Sequence, residues 1–97
     1  MYAIVKSPET VSSVIAAQAA DELLSVVGVR ASFVMFPVGS SVKISARSLG
    51  EVNVQFILER LGGGGHLTAA GCQINDSTVD KAYTLIVEAI DNYNAQT

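Results

Sequence analysis

The sequence predicts a small α/β domain with a mixed β-sheet, and three observations carry that expectation. Apolar residues switch along the chain between a period of two and a period near 3.6. Strand-like and helix-like runs follow in the order β-α-β-β-α-β-α, which implies about four strands and three helices. The breaks between them are short, made of a Ser-Pro pair, a Gly-Ser-Ser turn and isolated glycines. With 97 residues, 49% of them hydrophobic, the chain suits one domain with a true core.

The first strand is YAIVK (2–6), ended by Ser7-Pro8. Ser7 suits a helix N-cap and Pro8 a first helical turn, so a helix is expected from 8 to 27. Val11, Val14, Ile15, Ala19, Leu23, Leu24 and Val27 follow helical spacing, and Gly28 fits the left-handed residue beyond its end. RASFVMFPV (30–38) reads as a buried strand. After the turn at 39–41, VKISARS (42–48) alternates, with Val42, Ile44 and Ala46 on one face and Lys43, Ser45 and Arg47 on the other. These two strands should form a hairpin. Val54, Ile57, Leu58 and Leu61 mark a second helix over 51–61, closed by Gly62. AGCQIN (70–75) is the last strand. Ser77-x-x-Asp80 opens a final helix with Val79, Tyr83, Ile86, Val87 and Ile90 on one side.

Bulk properties exclude several functions. A net charge of −3 argues against a long nucleic-acid track, though a short anion held by a few local groups is compatible with it. Cys72 is the only cysteine, so no internal disulfide forms and a reducing, cytoplasmic setting is expected. Gln18, Asp21, Glu22 and Pro37 break the apolar stretches well short of a membrane span, and no signal-peptide pattern is present. No membrane contact by this domain is expected.

The stretch RLGGGGHLTAAGC (60–72) carries the chemistry. Four consecutive glycines exceed what a helix end and a tight turn require. Glycines let backbone N–H groups converge on an anion, so Gly63, Gly64 and Gly65 are candidates for ligand contact. A purely connective loop is the competing reading. A Rossmann fingerprint is rejected, because a helix precedes the glycines and a strand follows them. A Walker A loop is rejected because His66 stands where Lys-Ser/Thr belongs. His66, the only histidine, can donate to a phosphate oxygen or assist a reaction. Ser45 and Arg47 share a strand face, and a guanidinium binds phosphate bidentately. Asp21, Asp76, Asp80 and Asp91 fall in helices or caps without histidine partners, so no metal site is expected. Nor can one histidine complete a convincing nucleophilic triad. Alone, the chain is expected to catalyse nothing.

GGGGH followed by AAG, with ISARS and VNVQ upstream, resembles the DHH-associated (DHHA) domain of the DHH phosphoesterases. The resemblance spans almost the whole of 1–97. ISARSLGEVNVQ and GGGGHLTAA look most like the GdpP-type cyclic-di-AMP phosphodiesterase branch, and Leu67-Thr68 differ from the oligoribonuclease branch. The resemblance implies the C-terminal, substrate-binding part of a larger hydrolase. Its partners would be a cyclic-di-AMP or linear dinucleotide substrate and a separate DHH domain holding manganese, with a homodimer a further expectation. No cofactor is expected in this domain itself. By the same resemblance Gly63, Gly64, Gly65 and His66 would contact phosphate or base. Arg47 and Ser45 would help hold it, with Asn53 a further contributor. The parent would be membrane-anchored, with this domain on the cytoplasmic side. A nucleic-acid-linked module of the RecJ or alanyl-tRNA synthetase type, and a non-catalytic interaction or dimerisation domain, remain the alternatives.

Overall fold

A computed structural model describes residues 1–96. Five strands form one mixed sheet in the order β1-β2-β3-β5-β4: β1 (Tyr2–Lys6), β2 (Ala31–Val38), β3 (Ser41–Ser48), β4 (Gly64–Gly65) and β5 (Ala69–Ile74). Only β1 and β2 run parallel, because α1 (Ser13–Leu23) carries the chain across between them. β2–β3, β3–β5 and β4–β5 are antiparallel. The α/β class and the three helices agree with expectation. The fifth strand does not: the glycine run itself contributes β4, too short to show any periodicity.

The helices divide between the two faces. α2 (Val54–Glu59) and α3 (Val79–Gln96) share one core with Phe33, Met35, Val42, Ile44 and Ala46. α1 packs on the opposite face through Ala16 and Ala20, against Val34 and Phe36. β2 is therefore covered on both sides, which explains its apolar run from Phe33 to Val38. β3 buries every second residue, as its alternation requires. Phe33, Met35, Ile57, Leu58 and Ile86 are fully buried, and each contributes about 1.5–3 kcal/mol. Ser32, also fully buried, donates to the Ala20 carbonyl at 2.6 Å and ties β2 to α1.

Helix limits are where the expectations need correction. α1 begins at Ser13 rather than near residue 8. Ser12 is its cap, with Oγ accepting from Ile15 N–H at 3.1 Å. Ser7 instead extends the strand pairing, its N–H donating to the Met35 carbonyl, while its hydroxyl turns onto Glu9. Thr10 holds the same segment to the Pro37 carbonyl at 2.7 Å. Val14 and Ile15, expected inside, are 66% and 57% exposed, because the small alanines let the helix lie closer on its other stripe. The helix ends at Leu23, and the turns after it bring Gly28 to φ +90°. α2 is shorter than expected, and α3 is capped by Thr78, whose Oγ1 accepts from Lys81 N–H at 3.2 Å, not by Ser77. No described helix is long and apolar enough to cross a membrane.

Candidate functional site

α1 covers only part of its face of the sheet, and the candidate residues gather beside it. Pairing register aligns Ser45 with Gly71 and Gly71 with Gly64, so these three form one row across β3, β5 and β4. One row along, Arg47 pairs with Ala69, and Ala69 exchanges backbone hydrogen bonds with His66 at 2.6 and 3.3 Å. Alternation puts the side chains of both rows on the α1 face. One row the other way, Lys43 pairs with Gln73. Two glycines in the middle row leave bare backbone between a wall with Arg47 and His66 and a wall with Lys43 and Gln73. Lys43 and Arg47 are four residues apart on one strand, about 13 Å between Cα atoms at about 3.3 Å per residue.

The four glycines have four different surroundings. Gly62 takes φ +84°, and two bonds close α2 behind it: Gly62 N–H to the Glu59 carbonyl and Gly63 N–H to the Leu58 carbonyl. That is the Schellman pattern. A Cβ on Gly63 would overlap the Gly71 carbonyl and the Cys72 side chain. A Cβ on Gly65, already at φ +146°, would overlap the Ala69 carbonyl and stand 2.6 Å from Ala70 Cα. Gly64 alone has neither a positive φ nor anything within 4 Å of an added Cβ. Packing of β4 on β5 thus accounts for Gly63 and Gly65, the positive φ accounts for Gly62, and only Gly64 has neither reason to be a glycine.

The polar groups on this face are only lightly committed. Arg47 Nη1 donates to the Ala46 carbonyl at 2.8 Å and reaches Ser45 Oγ at 3.5 Å. Its Nε lies 3.5 Å from Asp21 Oδ1, a long contact to a carboxylate that is mostly in water. Pairs of that kind contribute little and yield to a better anion. His66 is exposed, and among the described residues its imidazole has no hydrogen-bond partner. Lys43 forms no ion pair among the described residues. Beside the middle row a cavity of about 320 Å³ is lined by Ser13, Phe36, Lys43, Ser45, Gly71 and Gln73. Cys72, next to Gly71, is partly buried, and burial pushes its thiol up to about 11, so it is not a nucleophile at neutral pH.

Asn53 is not with these residues. Its Oδ1 caps α2 through Phe56 N–H at 3.0 Å, and its own N–H donates to Tyr93 Oη at 3.0 Å, on the α2–α3 side. Gly71, Gln73 and β4 were missed in the sequence. A glycine inside a strand-like run was the available signal for Gly71. Among the described residues no three His, Cys, Asp or Glu side chains stand together as a metal site.

The family profile described as the DHHA1 domain matches residues 1–96. The chain belongs to the DHHA1 domain family. This DHHA1 domain is 56% identical over 86 residues to the cyclic-di-AMP phosphodiesterase GdpP of Geobacillus thermodenitrificans. It is 52% identical over 86 residues to the cyclic-di-AMP phosphodiesterase PdeA of Listeria monocytogenes. Each match covers 88% of the chain but 13% of the relative, so the chain spans about one eighth of their length. In structure the domain is similar to an exopolyphosphatase-related protein of Bacteroides fragilis, with TM-score 0.84, 21% identity, and coverage of 98% of this chain and 30% of that one. It is also similar to the C-Ala domain of alanyl-tRNA synthetase from Aquifex aeolicus, with TM-score 0.69, 17% identity, and coverage of 91% and 86%. At these identities the two structures establish a shared DHHA1 fold and nothing about the ligand.

Proposed function

We propose that this domain holds the nucleotide of a cyclic-di-AMP phosphodiesterase against the α1 face of its sheet. The observation that carries the reading is the convergence of Arg47, Ser45, Gly64 and His66 in two adjacent rows. Arg47 has Nη2 without a partner among the described residues. By giving up its long Nε contact to Asp21 it turns the Nε–Nη2 edge to a phosphate, while His66 donates a second hydrogen bond from across β5. The bare backbone at Gly64 and Gly71 lets a sugar or phosphate lie close to the sheet. Identity above 50% to two cyclic-di-AMP phosphodiesterases supports this ligand class over nucleic acid, as does the net charge of −3.

Hydrolysis itself belongs to a DHH domain elsewhere in the parent protein, where manganese would activate the attacking water. This domain then contributes binding and orientation on the cytoplasmic side. In the full-length parent, Arg47→Ala and His66→Ala should each raise KM or lower kcat/KM for cyclic-di-AMP at least tenfold with unchanged thermal stability. Wild-type kinetics in both variants would refute the reading.

A further inference from the structure

The wall opposite Arg47 and His66 has a directed hydrogen-bonding pattern that phosphate binding does not use. Asn75 Oδ1 accepts from Ser41 Oγ at 3.0 Å and from Gln73 Nε2 at 3.1 Å. In this arrangement the nitrogen of the Gln73 carboxamide is turned towards Asn75. One of its two N–H groups is engaged there, and the carboxamide oxygen, turned away from Asn75, has no partner among the described residues. Beside it on the same row stands Lys43, a donor without an ion-pair partner among the described residues. The cavity they line, about 320 Å³, has room for a purine base over the bare backbone of Gly71.

We infer that Lys43 and Gln73 form a base-reading subsite that selects adenine over guanine. Adenine offers N7 as an acceptor beside the N6 amine as a donor, whereas guanine offers two acceptors, N7 and O6, along the same edge. The Lys43 ammonium donates to N7, and Gln73 Oε1 accepts from N6. Guanine would set its O6 against Gln73 Oε1, two acceptors facing each other with no proton between them. Asn75 acts as a positioning residue that keeps the carboxamide from turning over. The inference rests on the nucleotide-binding reading above and deepens it, because it assigns the base preference to named side chains.

The test is a titration of the 97-residue chain with the linear dinucleotides pApA and pGpG, followed by amide and side-chain NMR shifts. Wild-type protein should prefer pApA by about tenfold, the size of one well-placed base contact. Gln73→Lys replaces the acceptor by a donor and should erase or reverse that preference while leaving phosphate binding in place. Asn75→Leu should erase the preference, and Asn75→Asp, which keeps an acceptor for both Ser41 and Gln73, should retain it. Arg47→Ala should weaken both dinucleotides alike. Equal wild-type affinities, or a preference unchanged in Gln73→Lys, would overturn the base-reading role with the phosphate site left standing. Failure of both dinucleotides to bind would overturn both.

Discussion

At the scale of single residues, the glycines of the run differ in what the fold requires of them. Gly63→Ala and Gly65→Ala each force a methyl into β5 backbone and should cost about 2–4 kcal/mol, read as a large fall in Tm. Gly64→Ala meets open space, so its cost should stay below about 1 kcal/mol. Its effect should appear in nucleotide binding instead. If Gly64→Ala melts like Gly63→Ala, β4 is packed differently from this description. Arg47→Lys keeps the charge but loses the planar fork, and should weaken phosphate binding with little change in stability. Cys72 makes a separate prediction. Its thiol titrates near 9.0 when unfolded and near 11 when folded, so the native state holds the proton over that interval. Stability contributed there is fully present below pH 9 and declines as pH rises towards 11. A Cys72→Ser variant should show a shallower decline in a urea-denaturation series across that range.

At the scale of elements, caps decide the boundaries that spacing alone misplaces. Ser12→Ala should destabilise α1 by about 1 kcal/mol, whereas Ser7→Ala, far from the helix, should be close to neutral. A larger loss from Ser7→Ala in chemical denaturation would restore the longer helix. Asn53→Ala should cost a similar amount through α2, and Asn53→Asp should be tolerated because the carboxylate also caps. Neither change should alter nucleotide binding, since Asn53 lies on the other side of the sheet. Much of this level was legible in the sequence. β2, β3 and α3 stand near their expected places because apolar runs and alternation report burial directly. α1 is shorter at both ends than its spacing suggests. Its buried face is not the expected one, because Ala16 and Ala20 form the buried stripe and alanine carries too little hydrophobic signal to outweigh Val14 and Ile15. β4 was invisible for a different reason: glycine has no side chain through which a strand can announce its faces.

For the whole molecule, the candidate site depends on what does not cover the sheet. α2 and α3 seal one face, while α1 occupies the other face over β2 and part of β3. The open remainder, over β3, β5 and β4, is where Arg47, Ser45, Gly64 and His66 meet. The sequence identified those four residues, through glycine density, a lone histidine and one strand face. It could not supply register, which is set by pairing between distant segments, so Gly71 and Gln73 stayed unnoticed. One open face gives only half an enclosure. The 97-residue chain should therefore bind a dinucleotide weakly, with Kd between about 0.1 mM and several mM, as one or two charge-assisted bonds allow. Calorimetry returning a nanomolar value would mean that the site closes without a second domain. Incubation of the chain with cyclic-di-AMP and manganese should yield no linear product.

The shortness of β4 has a consequence for solubility. An edge strand presents a row of unpaired amides and carbonyls on which a foreign strand can grow, and long flat edges seed fibrils for that reason. Here the outermost strand on one side is two residues long, both of them glycine, and a turn follows at once. An incoming strand would find one or two rungs and no side chains to interlock with. That margin of the sheet is a poor nucleus for aggregation, even though the backbone beside it is bare.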